Sequence, residues 1–133
     1  MSNLTKNNTL TPTQVYEALR QGMLSKQEDW KNMVADQATI VGPLVRTKGK
    51  KAFIEIHEAF FQTVQNQVVH QLVEHDDLVI TQISTTIEAT NKQVVVLHLS
   101  EWYTIRNGKI EALEVYFDPA VLRSTDRHIY DDF

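Results

Sequence analysis

Between Val95 and Ile105 the odd-numbered residues read Val95, Leu97, Leu99, Glu101, Tyr103 and Ile105. Side chains of an extended strand alternate between its two faces, so this spacing sets one carboxylate in a row otherwise suited to a core. The even positions, Val94, Val96, His98, Ser100, Trp102 and Thr104, form a mixed surface fit for partial burial or a subunit contact. Burying an unpaired carboxylate costs several kcal/mol, so the group either holds its proton or finds a donor. A neutral acid in an apolar enclosure can donate a hydrogen bond to a developing oxyanion. The plainer alternative is an acid tied to a backbone donor for structural reasons.

Other residues suggest chemistry less sharply. His57 shares a helical face with Phe53, Ile56, Phe60 and Val64. Its unperturbed pKa suits a general base near neutral pH, although a core histidine bonded to one neighbour is the commoner arrangement. Tyr103, two residues beyond Glu101, is a phenolic donor or a core tyrosine. Asp118 ends the last strand, where it can cap the turn at Pro119. Trp30, Phe53, Phe60 and Phe117 are candidate pocket walls or ordinary core. His70 and His75, with Asp76 and Asp77 beside them, have a spacing that matches neither one helix face nor one strand face, and no metal site is expected. Arg46, Lys48, Lys50 and Lys51 cluster where a helix begins, and solvation is their expected fate rather than anion binding.

The elements that must position these groups are legible from pattern. Residues 1–10 are polar and asparagine-rich and are expected as an arm. Thr11-Pro12-Thr13-Gln14 reads as a capping box with proline at the first helical position, opening a helix with Val15, Ala18, Leu19 and Gly22 on one face. Ser25-Lys26-Gln27-Glu28 reads as a second capping box, leading a short helix that points Trp30, Met33 and Val34 inward. Residues 38–45 suggest a strand broken at Gly42-Pro43, and residues 50–65 a third helix with Lys51, Glu55, Glu58 and Gln62 on its wet side. Strands are predicted at 68–74, 78–89, 93–106 and 109–117, with turns at 75–77, 90–92 and 107–108. Asn107-Gly108 is a type I′ hairpin signal, and it brings the Glu101 face beside Leu113, Val115 and Phe117. Helices first and hairpin-linked strands afterwards define an α+β fold over residues 11–120, and residues 121–133 are expected as a tail or short helix.

Composition bounds the function. The chain has 133 residues, no cysteine and a net charge of −4, with pI near 5.7. The acidic balance argues against a nucleic-acid partner. No apolar run approaches the roughly 20 residues of a membrane span. The absence of cysteine removes thiolate chemistry. A cytoplasmic globular protein is the expectation.

The run Glu101-Trp102-Tyr103-Thr104-Ile105-Arg106-Asn107-Gly108-Lys109-Ile110, followed by Val115-Tyr116-Phe117-Asp118-Pro119, resembles the SnoaL-like proteins of the ketosteroid isomerase and nuclear transport factor 2 superfamily. The front half agrees through Tyr16-Glu17-Ala18-Leu19, residues 34–40 leading to Gly42-Pro43, and Lys48-Gly49-Lys50-Lys51-Ala52. The resemblance implies a cystatin-like cone: three helices on a strongly curved antiparallel sheet, a pocket open at one end, and homodimers paired across the outer sheet face. It places the acid of the isomerase oxyanion hole on Glu101. The isomerase phenol falls nearest Val15, with Tyr16 one residue out of register. The isomerase base falls on Gly42, which has no side chain to move a proton.

The expected function is therefore a pocket for a small apolar or amphiphilic molecule, walled by Tyr16, Trp30, Phe53, Phe60, Leu99, Leu113, Val115 and Phe117. Cofactor-independent isomerisation, cyclisation or dehydration would use Glu101 as acid, His57 or Asp118 as base and Tyr103 as positioning donor. The alternative is a non-catalytic binding or dimerisation module of the same fold, and an adaptor of the transport-factor type is a third.

Overall fold

The computed structural model describes residues 10–89 and 91–125. Most of the expected arm, Thr90 of one predicted turn and residues 126–133 of the expected tail lie outside the described residues.

Helix α1 spans Pro12–Leu24, and its predicted capping box is formed. Thr11 Oγ1 accepts from the Gln14 amide at 3.1 Å, and the Thr11 amide donates to Gln14 Oε1 at 2.9 Å. The second predicted capping box is not formed. Ser25 closes α1 instead, and Lys26 takes the left-handed conformation with φ of 55°. The Gln27 amide then reaches back to the Gly22 carbonyl at 2.9 Å and the Lys26 amide to Met23 at 3.2 Å, a Schellman closure. What remains is one 3₁₀ stretch, Asp29–Met33, and Val34 opens strand β1 rather than ending a helix.

Strands β1 (Val34–Val41) and β2 (Arg46–Lys48) flank the turn at Gly42-Pro43, and α2 runs from Lys50 to Phe61. Strands β3 (Val64–His75), β4 (Leu78–Glu88), β5 (Val94–Arg106) and β6 (Lys109–Tyr116) follow, then a short helix α3, Ala120–Thr125. Helix α2 stops four residues before its predicted end, and β3 begins correspondingly early. The six strands form one sheet in the order β2-β1-β6-β5-β4-β3. All neighbours are antiparallel except β1 and β6, which run parallel. Asn107 and Gly108 both have positive φ, 53° and 73°, as a type I′ turn requires.

Register shifts in β3, between β1 and β6, and between β5 and β6 mark bulges; bulges bend strands and increase their twist. The long strands thereby curl over the helices. The core divides into two clusters. One gathers Val15, Tyr16, Leu19, Trp30, Phe53 and Tyr103 between the helices and the sheet. The other gathers Ile83, Ile87, Leu97 and Leu99 around fully buried Leu122 of α3. Among the described residues no helix is long and apolar enough to cross a membrane.

Gly22 is where α1 meets the 3₁₀ stretch. A Cβ there would lie 2.7 Å from Trp30 Cβ, an atom that cannot rotate away. Alanine favours a helix over glycine by about 1 kcal/mol, but overpacking costs about 1–3 kcal/mol. Gly22→Ala should therefore lower Tm by roughly 5 °C in a thermal melt, whereas propensity alone would raise it.

Candidate functional site

The predicted parity of β5 is observed. Val95, Leu97, Leu99, Tyr103 and Ile105 are buried, while Val94, Val96, His98 and Trp102 are exposed. Glu101 sits among the buried set, directly paired with Thr81 of β4 on one side and Val115 of β6 on the other. Thr81 Oγ1 donates to Glu101 Oε1 at 3.0 Å, and the Tyr16 hydroxyl from α1 lies 3.5 Å from the same oxygen. The Tyr16 and Tyr103 rings meet at a tilt of 59° with centroids 5.4 Å apart, which sets Tyr103 beside the same acid. The acid is thus held by two hydroxyls rather than by a cation.

Its surroundings form a hollow between α2 and the sheet, with Ile40, Phe60, Leu99, Leu113, Val115 and Phe117 among the apolar walls. Glu101, His57, Gln67 and Thr85 are the polar groups on its lining. The space open to the centre of a water-sized sphere is about 80 Å³, several times the roughly 10–15 Å³ one water needs. Glu101 keeps intermediate exposure because it faces this hollow, yet its carboxyl is enclosed by protein, and desolvation raises its pKa to about 7. Thr81, Tyr16, the Arg20 charge and Tyr103 oppose that rise. Burial, and then the Glu101 charge, push both phenols upward, so Tyr16 and Tyr103 stay protonated donors.

His57 is buried on α2 and stacks on Phe53, centroids 4.4 Å apart. Its Nδ1 lies 2.9 Å from the Phe53 carbonyl. A carbonyl only accepts, so the neutral ring carries its proton on Nδ1 and keeps the Nε2 lone pair. Burial pulls its pKa down to about 4, against the Phe53 hydrogen bond. His57 and Phe61 also line a second, more polar depression of about 260 Å³, together with Met23, Lys26, Gln27 and Trp30.

The structure brings together Glu101, His57, Phe60, Leu99, Leu113, Val115 and Phe117 on one hollow, with Tyr16 and Tyr103 behind Glu101. Tyr16, not Val15, supplies the phenol from α1. Three expected residues stand elsewhere. Trp30 lines the second depression, because it packs under Gly22. Phe53 is fully buried as the stacking partner of His57. Asp118 is exposed and its Oδ1 accepts from the Ala120 amide at 3.0 Å, capping α3. Gly42 lacks more than a side chain. A Cβ there would lie 2.7 Å from Val115 Cγ1, so a valine methyl fills the space a base would need.

Sequence reasoning missed Thr81, Thr85, Gln67 and Arg20. The first two were visible by the parity that exposed Glu101, since the inner row of β4 reads Val79, Thr81, Ile83, Thr85, Ile87. Arg20 Nε donates to Gln67 Oε1 at 3.1 Å, and Gln67 Nε2 to Thr85 Oγ1 at 3.0 Å, a chain across α1, β3 and β4 that no local pattern announces. Among the described residues no group of three or more His, Cys, Asp or Glu converges as a metal site.

A curved sheet over helices, with an acid and two phenols at an apolar hollow, is the architecture of an α+β cone protein with an interior site. The chain belongs to the SnoaL-like domain family, whose model matches residues 13–113. Solved structures agree in fold. An NTF2-like protein of unknown function from Cytophaga hutchinsonii ATCC 33406 is 20% identical, with 87% of this chain and 97% of that one covered at a TM-score of 0.72. A protein from Jannaschia sp. CCS1, provisionally named a SnoaL-like polyketide cyclase, is 13% identical over 85% and 89% of the two chains, TM-score 0.72. A provisionally named isomerase from Bacillus subtilis is 15% identical over 84% and 89%, also at 0.72. At these identities the likeness is one of fold. No curated protein matches the chain.

The two perturbed groups act on stability in opposite directions. Glu101, raised from 4.5 to about 7, stabilises the fold below pH 4.5 and loses that contribution as pH rises through 7. His57, lowered from 6.5 to about 4, contributes above pH 6.5 and loses its contribution as pH falls through 4. Each effect is on the order of 2–3 kcal/mol, so they largely cancel between pH 4.5 and 6.5. Urea denaturation should show a nearly flat pH profile there for the wild type. Glu101→Gln should unmask stability that rises with pH, and His57→Gln stability that falls with pH. Parallel profiles for all three proteins would contradict both shifts.

Proposed function

We propose that the hollow binds a small, mostly apolar carbonyl compound and that Glu101 hydrogen-bonds its oxygen, promoting proton transfer next to the carbonyl. The observation that carries this reading is an acid with a pKa near 7 at the end of an apolar hollow, held by neutral donors. Thr81 and Tyr16 both donate to Oε1, so the neutral acid carries its proton on Oε2, the donor that this reading offers to a ligand. A donor fixed in advance in a dry site stabilises developing negative charge more than the same donor in water. The bare Nε2 of His57 is the acceptor available on the same hollow. Isomerisation, cyclisation and dehydration all share this step.

A second reading is favoured by Val115, which fills the space beside Gly42: a binding module that uses the same hydrogen bond without turnover. Cyclohexanone in D₂O separates the two. On the catalytic reading, the protein accelerates exchange of the hydrogens next to the carbonyl, and Glu101→Gln loses roughly 10²-fold of that rate. Shifts of the Leu99 and Val115 methyl resonances on adding the ketone should survive the substitution. Methyl shifts without any accelerated exchange would select the binding module, and no shifts at all would remove both.

The outer sheet face supports a further part of this reading, that two copies pair there. Val68, Val94, Val96, Trp102 and Tyr116 are exposed on it, Val94 by 58% and Tyr116 by 55%. An apolar area of this kind on one face marks an association surface. Trp102→Arg should halve the mass measured by light scattering, and an unchanged mass would place the contact elsewhere.

A further inference from the structure

Strands β3 and β5 present a histidine pair on the outer sheet face, with Ser84 of β4 between them. His70 is the extra residue of the β3 bulge between Val69 and Gln71, and bulges re-aim side chains. Its Nε2 lies 2.7 Å from Ser84 Oγ on β4. His98 Nδ1, from β5, lies 2.9 Å from the same oxygen. Both imidazoles are exposed, and Ser84 is directly paired with His98 and with Val68. Two ring nitrogens from strands on either side of β4 thus converge on the Ser84 hydroxyl at the sheet surface.

We infer that His70 and His98 form a two-histidine site for a borderline divalent ion of the zinc, nickel or copper(II) type. Imidazole nitrogen suits these ions, at about 2.0–2.1 Å from zinc. The present nitrogens both lie within hydrogen-bond range of one hydroxyl, so closing on an ion needs only side-chain rotation at exposed positions. The unbroken β4–β5 ladder fixes His98 opposite Ser84, and His70 is held at the bulge between the paired residues Val69 and Gln71. Water fills the remaining coordination positions, as in open sites. Hard oxygen-seeking ions find no carboxylate in the cluster; Glu88 and Glu114, the acidic groups of β4 and β6 on this face, pair in register with Val94 and Trp102 instead. His75 belongs to a separate contact with Asp76, 3.4 Å away.

The full-length chain, with Zn²⁺ as probe, tests the assignment by isothermal titration and by imidazole ¹⁵N resonances. The expected result is one ion per chain, joint shifts of His70 and His98, and a loss of affinity of roughly tenfold or more for either His70→Gln or His98→Gln. His75→Gln should leave the affinity unchanged, and Mg²⁺ should not compete. Repeating the titration in Trp102→Arg protein separates ion binding from pairing of copies, because the site is complete within one chain. Zinc affinity that survives both histidine substitutions, or that requires paired copies, overturns the assignment.

Discussion

The hydrogen bond from Thr81 to Glu101 is the contact on which the interior chemistry depends. It exists because the two residues are register partners on the inner faces of β4 and β5. A carboxyl turned into an apolar hollow would be very costly if it were charged and unpaired. Here that cost is limited twice, by hydroxyl donors that tolerate the charged form and by a raised pKa that lets the group be neutral. With a lysine in place of these hydroxyls the acid would be locked as an anion. With no donor it would be locked as a neutral acid. Two hydroxyls leave it between the two states near pH 7.

The same hollow shows why shape and chemistry have to be argued together. Val115 touches both sides of the problem: it pairs with Glu101 across β5 and β6, and its methyl stands where any side chain at residue 42 would go. The sheet curvature that encloses Glu101 therefore also closes the position from which a carboxylate base would act. His57 remains, and its low basicity and single free nitrogen follow from burial on α2 and from the Phe53 carbonyl. An acid that is easily protonated and a base that is hard to protonate face one space.

Much of this was legible in the residues. Strand parity alone placed Glu101 inward. The Thr11–Gln14 box and the Asn107-Gly108 turn were local signals, and the structure honours both. What escaped was set by distance or by exception. Lys26 occupies a left-handed position usually given to glycine, so the chain turns where Ser25-Lys26-Gln27-Glu28 reads as a helix start. Val15 and Tyr16 are both buried on α1, and only tertiary packing decides that the second of them reaches Glu101. Arg20, Gln67 and Thr85 lie far apart in sequence, and their chain of bonds is written in no local pattern.

The parallel ladder between β1 and β6 has a consequence for how the molecule assembles. Strands β3 to β6 are joined by short connections and can zip as successive hairpins. The partner of β1, by contrast, arrives roughly seventy positions later, at Ile110 to Glu114. Closing so long a loop carries an entropic cost before any reward is collected. The first strand must therefore wait on a finished meander, and the walls of the hollow that β1 supplies are set in place at the close of folding rather than at its start.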